Sequence, residues 1–171
     1  MANFARKLAL VALTSAFAAP ALAVPVGASP PATATARIVR PLTLAANSNL
    51  DFGTIVMSSV SGNNTVALDQ TNLLTCGAGA ELVCSGTTTV ASYTVKGTNN
   101  QTVKVYTATS TLAGSNGGSL IFTPNAPATV SLGAAGASTG ATFSVGGSIV
   151  VGLTTTDGVY LGNMDVTVDY N

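Results

Sequence analysis

The chain has 171 residues, 47% of them hydrophobic and only 7% charged, with six Lys or Arg, six Asp or Glu, and neither histidine nor tryptophan. So little charge, with no basic cluster, argues against nucleic acid or anionic lipid as a partner. Two cysteines without a histidine make neither a zinc site nor a Cys/His nucleophile.

Arg6 and Lys7, the apolar run from Leu8 to Phe17 and the tripeptide Ala21-Leu-Ala23 predict a Sec signal peptide over residues 1–23, cleaved after Ala23. That apolar run is too short for a membrane helix of roughly 20 residues, and no other run approaches this length. The expected route is through the periplasm to the cell surface, a fimbrium or the medium. The exported chain would keep Arg37, Arg40, Lys96 and Lys104 against Asp51, Asp69, Glu81, Asp157, Asp165 and Asp169, two more acids than bases. Its richness in Thr, Ser, Gly, Val and Ala suits exposed β-surfaces, with some hazard of aggregation.

From Val24 to Pro31 the proline-rich sequence cannot hold a ladder and is expected to be a flexible leader. Next, an extended segment places Ala34, Ala36, Ile38, Arg40, Leu42 and Leu44 on one face. Arg40 interrupts that apolar face and Pro41 removes a backbone donor, which suits an edge or a groove better than mid-sheet. Residues 24–46 are therefore expected to be a leader with an N-terminal strand, and residues 47–171 a single domain.

Within that domain, Asn47-Ser-Asn49 is expected to turn the chain into a strand over residues 50–57. Ser61 to Asn64 is turn sequence, and residues 65–69 make a short strand. The segment Cys76-Gly-Ala-Gly-Ala-Glu-Leu-Val-Cys84, in an exported chain, predicts one disulfide closing a short loop and contributing ~2 to 3 kcal/mol. Strands over 87–96 and 101–107, joined by Gly97-Thr-Asn-Asn100, read as a hairpin. Further strands are expected over 119–123, 129–132 and 143–153, the last bent or bulged at Gly146-Gly147.

Asp157-Gly158 turns into a terminal strand that carries Gly158, Tyr160, Gly162, Met164, Val166, Val168 and Tyr170 on one face. Val159, Leu161, Asn163, Asp165, Thr167 and Asp169 lie on the other. Chain ends usually fray, so an apolar face that runs to the penultimate residue implies a task for this one. The sum is about eight short strands with turns between them and no helical periodicity, which predicts an all-β, antiparallel, immunoglobulin-like β-sandwich. No internal repeat suggests a solenoid or propeller, and the long alternating strands and aromatic girdles of an outer-membrane barrel are missing.

This ending, with a glycine fourteen residues from the end and a penultimate aromatic, resembles the assembly motif of chaperone/usher pilus subunits. Within that superfamily the chain is most similar to a family of secreted bacterial domains with L-x-F-G near the mature N-terminus and G-x-Y-x-G-x-x-x-V-T-V-x-Y at the C-terminus. Those motifs read Leu50 to Gly53 and Gly158 to Tyr170 here; secreted pilins of the spore-coat-U type end similarly. The resemblance covers the chain from about Ala34 onward and is specific at its two ends. It implies a pilin subunit whose open groove takes a strand first from a periplasmic chaperone and then, at an outer-membrane usher, from another homologous or identical subunit. In that reading Ala34, Ala36, Ile38, Leu42 and Leu44 form the face of a donor strand, and Gly158 to Tyr170 form the assembly strand. An ordinary first strand of the same domain stands beside it, and with it a self-contained secreted sandwich that binds glycan or matrix.

Nothing in the residues points to an enzyme, a cofactor, a metal or a small-molecule substrate. Asp165 and Asp169 share a strand face ~13 Å apart, beyond the roughly 5 to 9.5 Å of a glycosidase pair. No nucleophile elbow, P-loop or dinucleotide fingerprint occurs. The four tyrosines, Tyr93, Tyr106, Tyr160 and Tyr170, form no sugar-stacking cluster in sequence, and core packing accounts for them.

Overall fold

The computed structural model describes residues 23–77 and 79–171. The expected signal peptide falls on residues 1–22, outside the described residues, apart from Ala23 itself. The chain divides into two units, residues 1–37 and 38–171. In the first, the described residues form no strand and are exposed.

The second unit is built from β-strands, as a chain of alternating short apolar runs and Gly/Asn/Ser turns requires. In order these are β1 (Thr43–Ser48), β2 (Thr54–Met57), β3 (Asn64–Leu68), β4 (Leu74–Cys76), β5 (Leu82–Ser85), β6 (Ala91–Lys96) and β7 (Thr102–Thr107). There follow β8 (Ser110–Gly114), β9 (Ser119–Asn125), β10 (Thr129–Ser131), β11 (Ala141–Val151), β12 (Tyr160–Leu161) and β13 (Val166–Tyr170). All strand pairs are antiparallel. A large sheet runs β1-β6-β11-β9-β8-β12, with β3 paired to β11 and β4 to β3; β10-β7-β13 form a small sheet and β2-β5 a ribbon.

The backbone of this arrangement is β11. Its residues 141–145 pair with β6, and from Gly146 onward it pairs with β9 and β3. Phe143, Val145, Ile149 and Val151 are buried at a spacing of two, so one strand supplies apolar side chains to both ends of the sandwich. At Gly146-Gly147, where a bend or bulge is expected, the ladders show no bulge and the strand changes partners. A side chain at Gly147 would collide with the Phe122 ring, and one at Gly146 with the Leu68 carbonyl.

Two core clusters result. In the first, the large sheet gives Val66, Leu68, Leu120, Phe122, Ile149 and Val151, covered by Leu82, Ile55 and Cys84 of the ribbon and by Phe52. Phe52 meets Phe122 edge-on with ring centroids 6.2 Å apart. In the second, Ala91, Val95, Phe143 and Val145 of the large sheet face Val103, Val105, Val130, Val166, Val168 and Tyr170 of the small sheet. Val66, Leu68, Val95, Val103 and Val145 are the largest of the fully buried side chains, each stabilising the fold by about 1.5 to 3 kcal/mol.

Several sequence expectations change. The segments 87–96 and 101–107 do not form a hairpin: β6 lies in the large sheet and β7 in the small one, so Gly97–Asn100 is a corner between layers. Asn47 and Ser48 belong to β1, which shifts register between Ala46 and Ser48. The short strands β4 and β5 flank the cysteine loop, and β8, where the sequence predicts no strand, forms a hairpin with the expected β9. The terminal strand is two strands, one in each sheet.

Candidate functional site

Among the described residues, β1 and β13 are each the last strand of their sheet, paired only to β6 and β7 respectively. Side chains from both nevertheless pack on the same second core cluster: Leu42 and Leu44 from the N-terminal side, and Met164, Val166, Val168 and Tyr170 from the C-terminal side. All six are half-buried. Two strand edges that share a core without a ladder between them form a seam, with the Tyr93–Phe143 stack, 5.6 Å between ring centroids, in that core. Burial holds the Tyr93 phenol above its ordinary pKa, and the nearby Asp165 charge raises it further.

The hydrogen-bonding phase of β13 follows from its end. The Asn171 amide donates to the Thr102 carbonyl at 3.2 Å, and the register pairs Asp169 with Lys104 and Thr167 with Tyr106. Alternation in an antiparallel ladder then turns Thr167 and Asp169 toward β7, and the N–H and C=O of Val166, Val168 and Tyr170 toward the unpaired edge. The Asp169 carboxylate takes up one of these groups, accepting the Tyr170 amide at 2.8 Å. Such an edge is a template for an added strand.

At its far end the seam is tied off by Tyr170. Its hydroxyl donates to the Arg40 carbonyl at 2.7 Å and accepts the Thr98 amide at 2.8 Å, while the Arg40 amide donates to Thr98 Oγ1 at 2.7 Å. Gly97 makes this approach possible, because a Cβ there would strike the Tyr170 hydroxyl and the Leu42 side chain. In sequence Arg40 is a charged interruption and Gly97 and Thr98 are part of a hairpin turn, with nothing to join the two. What Arg40 contributes here is its backbone, which leaves no signal in side-chain chemistry.

The residues named from sequence divide into groups. Val166, Val168 and Tyr170 line the seam, and Met164 touches both core clusters. Gly158, Tyr160 and Gly162 sit away from it, beside the β8–β9 hairpin: Gly158 has φ +145° against Ser115, Gly162 abuts the Thr111 carbonyl, and the Tyr160 hydroxyl donates to the Thr156 carbonyl at 2.8 Å. Leu42 and Leu44 pack into their own domain, whereas Ala34, Ala36 and Ile38 lie in no strand and are exposed, Ile38 to 91%. Cys76 and Cys84 are joined, with Cα atoms 5.9 Å apart, and tie β4 to the ribbon strand β5.

Two shallow concavities lie elsewhere, one of 180 Å³ lined by Asp69, Leu73 and Ser148, another of 290 Å³ lined by Asn63, Thr155 and Tyr160. Both fall below the roughly 300 to 1,000 Å³ usual for small-molecule sites. Among the described residues no His/Cys/Asp/Glu group has the makings of a metal site, and no helix is long and apolar enough to cross a membrane.

No curated protein and no solved structure matches the chain. A family profile described as Domain of unknown function (DUF4402) does match, over residues 42–170. Those limits are the first side chain that enters the second core and the tyrosine that closes the seam, and they take in three quarters of the sequence: the chain belongs to the DUF4402 family.

Proposed function

We propose that this protein is a structural subunit of a secreted surface fibre, an immunoglobulin-like sandwich of the pilin type left open along one seam and completed by a strand from another copy. The observation that carries the reading is the unpaired β13 edge, which presents the Val166 and Val168 backbone beside half-buried apolar side chains. Strand addition at such an edge supplies main-chain hydrogen bonds, and alternate side chains seat in the groove. The arm preceding the domain suits the donor role, with Ala34, Ala36 and Ile38 at alternate positions and exposed. In this account the fold is exported by the Sec route, captured in the periplasm by a chaperone strand and handed on at an outer-membrane usher. No catalysis, cofactor or small substrate takes part.

One observation favours a second reading, a self-contained secreted domain that binds glycan or matrix: β1 pairs with β6 in its own sheet, and Leu42 and Leu44 enter its own core. Cysteine cross-linking separates the two. Chains carrying Ile38→Cys and Val168→Cys, oxidised after purification, are expected to give a ladder of covalent multimers on a non-reducing gel. Only a monomer cross-linked within itself would favour the self-contained domain.

A further inference from the structure

The geometry points to a fixed boundary in the N-terminal segment: the hydroxyl of Tyr170, with Thr98, clamps the backbone of Arg40, so that the arm a subunit can offer a second copy is residues 24–39. This inference rests on the strand-donation reading and sharpens it. By sequence pattern alone, one largely apolar face runs from Ala34 to Leu44, interrupted by Arg40, with Ile38, Leu42 and Leu44 its largest apolar groups. The structure breaks that face in two at Arg40. On the C-terminal side, Leu42 packs against Gly97 and the second core, and Leu44 joins the same cluster from β1. On the N-terminal side, residues 34–39 are exposed and outside every strand.

Between the two halves stand three hydrogen bonds of 2.7 to 2.8 Å, and both backbone groups of Arg40 are used: its amide reaches Thr98 Oγ1, and its carbonyl takes the Tyr170 hydroxyl. Pro41, which has no amide, follows directly, so the ladder of β1 cannot be carried through this point. The family match also starts just past the clamp, at Leu42. Fully extended, residues 24–39 span roughly 50 Å at ~3.3 Å per residue, ample for a five-residue edge. Tyr170 limits the receiving side as well, because its amide is held by Asp169 and its hydroxyl by Arg40. An incoming arm therefore meets open backbone at Val166 and Val168 and stops at Tyr170. Ile38, 91% exposed, is the largest side chain the arm brings to that face, and the clamp that fixes the base of a subunit's own arm at Arg40 also closes the Tyr170 end of its acceptor edge.

Hydrogen exchange and proteolysis on the whole exported chain test this. In the parent monomer, amide protection should begin at Arg40 and be absent over residues 24–36, and in the multimers it should extend into the arm. Trypsin should cut the monomer after Arg37, the Arg40-Pro41 bond being resistant in any fold, and the clipped domain should melt within about 2 °C of the intact monomer while no longer forming multimers. Tyr170→Phe keeps the ring but removes the hydroxyl. It should speed exchange at Arg40 and Thr98 by about tenfold and let thermolysin, whose cuts in the parent reach no further than Val39, cut before Leu42. Thr98→Ala should free the Arg40 amide in the same way, so the conclusion does not hang on one variant folding. Unchanged exchange at Arg40 and an unmoved cleavage limit in both variants would overturn the clamp. Multimers that survive removal of residues 24–37 would overturn the arm assignment and leave strand donation standing, with Leu42 and Leu44 as its donor face. An intact chain that stays monomeric at every concentration would remove strand donation itself, and with it the arm's destination.

Discussion

Glu81 shows how a fold with so few charges uses one. Its carboxylate accepts the Ser61 hydroxyl, the Asn64 side-chain amide at 2.6 Å and the Ser61 backbone amide at 3.3 Å, and its carbonyl accepts the Ser58 amide at 2.9 Å. Asn64 is only 6% exposed, so its amide depends on this partner. The Ser61 hydroxyl first, then Asn64 and the Ser61 amide, hold the Glu81 carboxyl below its ordinary 4.5. Asp69 is likewise held below 3.8, chiefly by the Leu73 amide and next by the Thr71 hydroxyl. A depressed carboxyl pKa gives stability that is complete above the unfolded value and is lost as pH falls through the folded one. Thermal melts of Glu81→Gln should therefore fall less steeply than the parent's below pH 4.5, and adding Asp69→Asn should flatten the curve again. A parent-like slope in the double variant would show that these carboxyls do not control the acid limb. Tyr93 carries the opposite sign: its phenol is raised above 10.0, so its stability contribution is complete below that value and is lost as pH rises through the higher folded one. Burial is the larger cause, so Asp165→Asn should lower the Tyr93 titration only in part, whereas Tyr93→Phe should remove that step from the tyrosinate absorbance curve.

Among the elements, the terminal strand was the most legible in its faces and the least in its continuity. Its alternation is visible at once, and the structure follows it: Val166, Val168 and Tyr170 are half-buried, and Thr167 and Asp169 exposed. What periodicity cannot show is that the chain changes sheets between Leu161 and Val166, because a strand that crosses the sandwich keeps its apolar face inward throughout. The same blindness produced the hairpin expected around Gly97–Asn100. Such a turn serves a hairpin and an interlayer corner equally, and the decision lies in long-range packing, with Val95 and Val103 meeting across the core and Tyr170 holding Thr98. β4, β5 and β8 were missed for their brevity and for the glycines and polar residues around them: β4 and β8 ladder with the neighbouring β3 and β9, whereas the β5 ladder is set by β2, well before it in sequence. The face assignment has a direct test. Val166→Asp or Tyr170→Asp places a charge against the second core and should cost about 2 to 4 kcal/mol in denaturant unfolding, whereas Thr167→Asp should stay within about 0.5 kcal/mol of the parent. Equal losses at Val166 and Thr167 would mean that the strand presents its other face.

At the scale of the whole molecule, the sandwich has two ends with different covers, and β11 is the element common to both. The ribbon β2–β5 closes the first core, and the small sheet, with its open edge, closes the second. The cysteine spacing announced a disulfide in the sequence. Its structural consequence needed the fold, because the bond joins β4, at the margin of the large sheet, to the ribbon, whose strands have no ladder to any other sheet. Side-chain packing of Phe52, Ile55 and Leu82, the Asn64–Glu81 hydrogen bond beside β5 and this one covalent tie hold the ribbon down. Replacing both Cys76 and Cys84 with serine should lower stability by about 2 to 3 kcal/mol, mainly by restoring loop entropy to the unfolded chain. For a chain of this size that is a fall in melting temperature of roughly 5 to 10 °C. The loss should also be local. Exchange should quicken at the ribbon and at β4, while amides of β7 and β13, which the second core holds, keep the protection they have in the parent and the seam still accepts a strand. If β7 and β13 lose protection in step with the ribbon, the two ends unfold as one unit through β11, and the seam depends on the disulfide after all.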